Sequence, residues 1–401
     1  MTSILRIGSR PSRLALAQAE LVQHKLATVA PSVSIEIIPI RTSGDRMATA
    51  ALARVGGKGL FIKELEQALG DGRIDLAVHS MKDLPARLAS GFRIAAVPER
   101  ADPRDALLSR AGNTIAALPR GARLGTSSTR RSFEALRLRP DLKLVPLRGN
   151  VGTRLTRIAA GDFDAIILAM AGLMRLERGD GDAAGGVALS VLDERDFVPC
   201  GGQGALCIEA LVGRPVAGSA EIEAAVAVLD DPRAHLEVTA ERAFLSTLGA
   251  SCVSPVGVFA RLEGVTLGMR ALVFSVDGSR HLIDEISDNV IDGAHDTPIE
   301  RAAAVGARLA EHMLTGGAYA LLSAAEPVAA TAVAATPNAR PDPSAGMGLH
   351  GRRIVVTRAR EAGDSFAAGL RAFGAEVTEF PTIEIIAPDS YAVIDAALER
   401  M

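Results

Sequence analysis

The sequence predicts an α/β protein of several domains, on three observations. Apolar runs of strand length alternate with amphipathic helical segments from residue 4 to residue 169, the pattern of a mostly parallel sheet covered by helices. Three of the later runs pass straight into polar loops before a helix begins. Beyond about residue 217 the order changes to two helices, three strands and a closing helix, which reads as an α+β unit. The chain of 401 residues has room for several such units at about 100–200 residues per domain.

Residues 4–7 form the first predicted strand. Gly8-Ser9-Arg10-Pro11-Ser12 then turns into a helix with Leu14, Ala17, Leu21, Val22 and Leu26 on one face. Ser12 is its N-cap, a hydroxyl that accepts from an otherwise unpaired backbone N–H. Residues 33–40, 75–79 and 93–97 supply further strands and residues 60–69 a helix, so the first unit closes near Glu99. In the second unit the strand at 122–125 leads into Thr126-Ser127-Ser128-Thr129-Arg130-Arg131. The strand at 144–147 leads into Arg148-Gly149-Asn150, and that at 165–169 into Ala171-Gly172-Leu173-Met174-Arg175. Ligands of open α/β sheets sit beyond the carboxyl ends of strands, where helix N-termini offer N–H groups to anions. Hydroxyls and arginines collect at those ends here.

After Phe197 the loop Cys200-Gly201-Gly202-Gln203-Gly204 precedes an apolar run suited to return to the first sheet. Helices at 221–229 and 235–248 are followed by strands at 256–262, 267–275 and 281–286, with Asp277-Gly278 as a hairpin turn and a helix at 299–314. The domains expected are therefore residues 1–99 with 197–216, residues 100–196, and residues 217–325. Residues 326–347 hold seven Ala and four Pro without a periodic apolar face and read as a linker. Residues 348–401 open a new strand–helix–strand at 352–357, 365–373 and 376–380.

Hydrophobic residues make up 48% and charged ones 23%, which excludes a mainly disordered or collagen-like chain. With 3% aromatics, no Trp and a net charge of -3, there is neither a stacking platform nor a global pull toward phosphate backbones, so nucleic acid is not an expected partner. The three cysteines, Cys200, Cys207 and Cys252, are too few and too irregular for a disulfide framework or a metal site. The most apolar stretch, residues 163–174, is interrupted by Asp164 and falls short of the ~20 residues that span a membrane. The expectation is a cytoplasmic protein with no metal and no membrane anchor.

Val55-Gly56-Gly57-Lys58-Gly59 is not a P-loop, because Leu52 stands at the first Gly position and Gly59 replaces the required hydroxyl. It reads as a loop carrying Lys58 over a cleft or as a simple turn. Gly202-Gln203-Gly204 lacks the final Gly of a dinucleotide fingerprint, Cys207 standing there instead. His79-Ser80-Met81-Lys82-Asp83-Leu84-Pro85 packs a hydroxyl, a cation and a carboxylate at the end of an apolar strand, which taken alone suits a surface ion pair better than a catalytic site. His79 reads as structural, and Cys200 and Cys207 as small hydrophobes. Cys252, in the small-residue loop Gly249-Ala250-Ser251-Cys252-Val253-Ser254-Pro255, reads as a reactive thiol. Arg10, Arg130, Arg131, Arg148, Arg154 and Arg175 would each alone be a solvated charge. Gathered at strand ends, their planar forks suit a polycarboxylate or phosphate ligand. Only five of the 44 basic residues are lysine, so Lys58 and Lys82 carry more weight than any single arginine.

Taken together, Ile7-Gly8-Ser9-Arg10, Val55-Gly56-Gly57-Lys58-Gly59-Leu60-Phe61, Ala77-Val78-His79-Ser80-Met81-Lys82-Asp83-Leu84-Pro85, Leu124-Gly125-Thr126-Ser127-Ser128, Leu147-Arg148-Gly149-Asn150-Val151-Gly152-Thr153-Arg154 and the Cys252 loop resemble the porphobilinogen deaminase family, in order, over residues 3–325. Arg54 stands where that family often has lysine, and Ala250-Ser251 where it commonly has glycine. The resemblance implies two lobes like those of type II periplasmic binding proteins around a cleft, with a C-terminal α+β domain. It also implies a transferase of tetrapyrrole and heme biosynthesis. Such an enzyme joins four porphobilinogen units head to tail into hydroxymethylbilane, losing ammonia at each addition, on a dipyrromethane primer held through a cysteine thioether.

Carried onto this sequence, the resemblance makes Cys252 the attachment site, with Lys82, Asp83, Thr126, Ser128, Arg130 and Arg131 binding the cofactor. Arg10, Ser12, Arg148, Arg154, Arg175 and Gln203 then bind substrate. Asp83, as a buried carboxylate, stabilises the azafulvene cation formed when ammonia leaves, while Lys58 and Phe61 belong to a loop that excludes water from the cleft. The resemblance further implies a monomer that hands its product to a separate uroporphyrinogen-III synthase. Residues 348–401 resemble the opening of that synthase family, through Arg352-Arg353-Ile354-Val355-Val356-Thr357-Arg358 and Phe380-Pro381-Thr382-Ile383-Glu384. About fifty residues bury too little apolar surface for such a doubly wound fold, so the segment is expected to be a truncated α/β fragment. The competing reading, from a different class, is a non-catalytic two-lobed sensor of a small polycarboxylate, which has no use for Cys252 or Asp83.

Overall fold

The computed structural model describes residues 4–46, 62–176, 182–183, 186–251, 254–293, 296–323, 353–356, 371 and 376–379. The chain divides into two compact units, residues 1–327 and 328–401.

In the first unit the chain begins with β1 (Ile4–Ser9), α1 (Arg13–Val29), β2 (Ser34–Pro39), α2 (Ser43–Arg46), α3 (Lys63–Gly70), β3 (Leu76–Ser80) and β4 (Phe92–Ala96). Ser12 caps α1, its hydroxyl accepting from the Ala15 N–H at 3.2 Å. The buried stripe of α1 runs through Gln18, Ala19, Val22 and Leu26, while Leu21 is 40% exposed. The predicted face is therefore rotated. The buried amide of Gln18 turns inward to donate to the Ser80 hydroxyl at 2.9 Å, which a purely apolar pattern does not reveal.

A first crossover leads to β5 (Asp105–Ser109), followed by β6 (Arg123–Gly125), α4 (Thr129–Leu138), β7 (Lys143–Val145), α5 (Val151–Ala159), β8 (Ala165–Ala169), α6 (Met170–Met174), β9 (Asp182–Ala183) and β10 (Val187–Val191). A second crossover returns through the glycine loop to β11 (Leu206–Leu211). The two sheets repeat one topology. The first has the order β2-β1-β3-β11-β4 and the second β7-β6-β8-β5-β10-β9. In each, three parallel strands are followed by the strand that a crossover delivers, which runs antiparallel to both its neighbours. This is the mixed α/β, two-lobed arrangement. It brings the carboxyl ends of β1, β3, β6, β7 and β8, with the loops that follow them, into the positions the sequence marks as polar.

Beyond β11 lie α7 (Ala220–Val228), α8 (Pro232–Leu248), β12 (Val256–Glu263), β13 (Thr266–Phe274), β14 (His281–Asn289), α9 (Pro298–Thr315) and α10 (Ala318–Ser323). Although α7 was expected in the third domain, Ile222, Ala225 and Val226 join the core of the first sheet with Leu5, Val22 and Leu206. The boundary therefore falls after α7, at Asp230 and Asp231, where the Asp231 carboxylate caps α8 and Pro232 opens it. A glycine in the left-handed region, Gly249 at φ 71°, ends that helix. The meander β12-β13-β14 packs α8 and α9 on one face, around Phe244, Val258, Ala271 and Leu309. Thr297 and Glu300 close α9 with a reciprocal capping box.

The third domain grips both crossovers. The buried Glu241 carboxylate of α8 accepts from the Arg100 guanidinium at 2.9 and 3.1 Å, from the Gly202 N–H at 2.6 Å and from the Ala260 N–H at 2.9 Å. Gly257 of β12 lies so close to the second crossover that a Cβ there would stand 2.8 Å from the Val198 carbonyl oxygen.

In residues 328–401 the structure describes β15 (Arg353–Val356) and β16 (Glu376–Glu379), paired in parallel. They coincide with the two strands expected there. The linker at 326–347 lies outside the described residues, as does the intervening helix apart from Arg371, which is helical. Among the described residues no helix is long and apolar enough to cross a membrane.

Candidate functional site

Strand β3 ends at Ser80 in a single 3₁₀ turn, Met81–Asp83, that turns its polar side chains toward a cleft. The cleft wall comprises Arg10, Ser12, Gln18, Ile62, His79, Ser80 and Asp83. His79 is buried and its Nε2 lies 2.9 Å from the Glu209 carboxylate, the structural role expected of it. Asp83 differs from expectation. Its side chain is exposed, because the 3₁₀ turn projects it away from the core while Met81 takes the buried place.

Lys82 is half-buried and donates to the Gln203 side-chain oxygen at 3.2 Å. Loss of hydration, reinforced by the charge of Arg131, pulls its ammonium below the ordinary lysine range against the opposing pull of Cys200, Asp83 and Asp105. Gln203 is fully buried, and its Nε2 donates to the Pro103 carbonyl at 2.8 Å and to Asp105 at 3.0 Å. Its oxygen also accepts from Arg131 at 3.3 Å. Such an amide has little left for a substrate, which corrects the expectation. Gln203 ties the two crossovers together and orients Lys82.

On the second lobe Thr126 is buried just beyond β6, and Ser128 caps α4 by accepting from the Arg131 N–H. The next turn carries Arg130 and Arg131. Arg130 is 4% exposed and bonds inward, to Asp105 at 2.8 Å, the Val198 carbonyl at 2.7 Å and Glu134 at 3.4 Å. Arg131 gives its Nε and one terminal nitrogen to Asp105 at 2.9 and 2.6 Å, and the other to the Ile167 carbonyl at 3.2 Å. The expectation that both bind cofactor is corrected for Arg130, which belongs to the wall. Arg131 is buried too, and its charge acts on Lys82 and Arg154. Sequence reading missed Asp105, the carboxylate that neutralises both. It opens β5 some twenty-five residues before them, and no local signal marks it.

Arg148, Arg154 and Arg175 are different. Arg148 is exposed. Arg154 is half-buried, with its Nε on the Gly149 carbonyl at 2.8 Å, and Arg175 donates to the Gly204 carbonyl at 2.6 Å. Among the described residues none of these three, nor Lys82, forms an ion pair with a carboxylate. Burial, and next the charge of Arg131, hold Arg154 below its ordinary range, and burial brings Arg175 down to about 10. Half-buried cations without a carboxylate favour an anionic ligand, since one would restore the charge balance that desolvation removes. The donor set therefore fits an anionic ligand, such as the acidic side arms of the cofactor that the resemblance implies.

Two further residues were not visible in the sequence. Arg242 of α8 reaches from the third domain to the Met81 sulfur at 3.7 Å, beside Lys82. Asp45 of α2 takes the guanidinium of Arg10. Lys58, Phe61 and Cys252 lie outside the described residues. Cys207 is fully buried and burial pushes its thiol well up, in keeping with a structural role, while Cys200 lies half-buried 3.5 Å from Gln203.

The chain matches the family described as porphobilinogen deaminase, dipyromethane cofactor binding domain, over residues 5–216, and that described as porphobilinogen deaminase, C-terminal domain, over residues 235–315. A protein of Syntrophotalea carbinolica named porphobilinogen deaminase is 45% identical over 323 residues, covering 80% of this chain and 96% of its own. Those of Roseiflexus castenholzii, 42% identical over 323 residues, and Bordetella parapertussis, 45% over 319, each cover 80% of this chain and 100% and 95% of their own lengths. Likeness to solved binding proteins is slight. An ancestral arginine-binding protein reaches a TM-score of 0.30 at 16% identity, over 56% of this chain and 92% of that one, and carries no argument.

Proposed function

The chain belongs to the porphobilinogen deaminase family, and from that premise we propose which of its residues hold the primer, take the substrate and assist the chemistry. The activity is that of a transferase in tetrapyrrole biosynthesis, condensing porphobilinogen head to tail into hydroxymethylbilane with release of ammonia. A non-catalytic polycarboxylate sensor is not favoured, because the match to this enzyme family covers both the two-lobed part and the C-terminal domain.

Cys252 holds the dipyrromethane through its sulfur. A thiol is partly ionised near neutral pH and is a soft nucleophile, which suits a stable carbon–sulfur link. When bound, the dipyrromethane supplies a free pyrrole α-position as the primer for chain extension. Lys82, Thr126, Ser128 and Arg131 take its carboxylates, while Arg130 and Asp105 hold Arg131 in place. Arg10, Ser12, Arg148, Arg154 and Arg175 bind the acetate and propionate arms of the incoming porphobilinogen. Planar guanidinium forks fix both the position and the tilt of a carboxylate.

Asp83 accepts the pyrrole N–H of the substrate and stabilises the positive charge that develops as ammonia leaves. Because Asp83 is exposed, water hydrates it until a substrate ring displaces that water, and the electrostatic effect then grows in the drier site. Lys58 and Phe61 are assigned to covering the cleft. The protein is read as a cytoplasmic monomer that passes its product to a separate uroporphyrinogen-III synthase.

The observation that carries this reading is the set of half-buried cations, Lys82, Arg154 and Arg175, without a carboxylate partner among the described residues. The test is the intact mass of the purified protein. Wild type should carry the mass of two linked pyrroles, and Cys252→Ser should lack it while Cys200→Ser and Cys207→Ser keep it. Full activity of the Cys252→Ser protein without a covalent adduct would overturn the assignment.

A further inference from the structure

Arg10 stands apart from Lys82, Arg148, Arg154 and Arg175 because it already holds a carboxylate. Its Nε lies 3.1 Å and a terminal nitrogen 2.5 Å from Oδ1 of Asp45, with Nε also 3.4 Å from Oδ2. Asp45 thus occupies the guanidinium edge on which a ligand carboxylate would dock. The second oxygen of Asp45 is anchored independently, accepting from the Thr42 N–H at 3.1 Å and the Thr42 hydroxyl at 2.8 Å. Burial would raise the Asp45 carboxyl, but bonds from Arg10 and Thr42 outweigh it and keep the group ionised at neutral pH. Both side chains remain within reach of solvent, at 24% and 16% exposure, unlike the enclosed Arg130, Arg131 and Asp105.

We propose that Asp45 is an internal stand-in for the substrate carboxylate, a positioning residue that holds Arg10 in the unloaded cleft and yields it when an acetate or propionate arm of porphobilinogen binds. The inference rests on the proposed role of Arg10 in substrate binding. The two Thr42 bonds make the exchange feasible, since Asp45 keeps two donors after Arg10 leaves and is not stranded. The exchange also gives selectivity. A ligand gains Arg10 only if its own carboxylate competes with one already in place, so an uncharged pyrrole gains nothing there. The apparent affinity for substrate is lowered by the fraction of enzyme in which Asp45 holds the fork.

The test is the steady-state KM and kcat of the cofactor-loaded enzyme for porphobilinogen. Asp45→Asn and Asp45→Ser should each lower KM about two- to five-fold, the range for a solvent-shared ion pair, with little change in kcat. Arg10→Lys, which keeps the charge but loses the fork, should raise KM. Adding Asp45→Asn to Arg10→Lys should then have little further effect. A KM that is unchanged or raised in both Asp45 variants, with Arg10→Lys still impaired, would overturn the stand-in role and leave Arg10 as a substrate ligand. An unchanged KM in Arg10→Lys would remove the role of Arg10 and the inference with it.

Discussion

Replacing Asp105 with asparagine should destabilise the whole two-lobed unit, because this one carboxylate neutralises two buried guanidinium groups. It is fully buried and accepts from Arg130 at 2.8 Å, from Arg131 at 2.9 and 2.6 Å, and from Gln203 at 3.0 Å. Burial alone would raise its pKa, yet the charges of Arg130 and Arg131 hold it at about 2, against 3.8 for the free side chain. That depression corresponds to about 2 kcal/mol of stability, fully present above the unfolded value and lost as pH falls from about 5 toward 2. Asparagine preserves the shape but turns an amide N–H toward the arginines. Glu134 gives partial relief to Arg130: burial and the charge of Asp105 push its own carboxyl up to about 8 against the pull of Arg130, so it takes up a charge more readily once Asp105 is replaced by a neutral amide. Stranding one side of a buried ion pair costs about 3–5 kcal/mol, so the loss at pH 7 should lie between about 2 and 5 kcal/mol. Urea unfolding followed by circular dichroism at pH 7 and at pH 3–4 reads both effects. The gap between wild type and variant should narrow by about 1 kcal/mol near pH 3, where the carboxyl is protonated in the unfolded chain but still ionised in the folded one. A loss below about 1 kcal/mol at pH 7, or a gap that does not narrow, would show that Asp105 does not neutralise the pair.

Asp83→Asn should retain porphobilinogen but lose about 10²–10³ in turnover, the usual cost of removing one well-placed electrostatic stabiliser. Ammonia release within a single turnover measures this, and a rate within a few-fold of wild type would remove Asp83 from the chemistry. Deleting residues 326–401 should leave deaminase activity and thermal stability unchanged. Those residues lie beyond both matched regions, and among the described residues the hydrophobic core of the third domain runs no further than Leu321 and the partly buried Leu322. Loss of activity on deletion would assign the C-terminal unit a part in the reaction.

Much of the scaffold was legible because it is written in local signals. The Ser12 cap and the Asp277-Gly278 turn sit where short-range chemistry requires them. What escaped depends on partners distant in sequence. β5 begins with a buried charge and has only three apolar residues, Ala106, Leu107 and Leu108, so its pattern is too short to register. Helix α7 is rich in Ala and Val, and nothing in that composition says which of two adjacent cores it joins.

The arginines show the same limit most sharply. All six expected ligands lie at strand ends in similar sequence contexts, yet they divide according to where a carboxylate happens to stand. Arg130 and Arg131 meet Asp105 in the interior, Arg10 meets Asp45 at the cleft edge, and Arg148, Arg154 and Arg175 meet no carboxylate among the described residues. A guanidinium remains charged in all three settings, so its own position cannot distinguish a wall from a binding group. The partner decides it: an enclosed carboxylate fixes the arginine in place, a solvent-shared one leaves it open to exchange, and the lack of one leaves the half-buried Arg154 and Arg175 as desolvated charge that an anionic ligand can neutralise. On the proposed assignment, a cleft built from all three kinds stays rigid at its back and keeps its unpaired charge toward the substrate, which suits a site that must take on a new pair of acidic arms with each pyrrole ring.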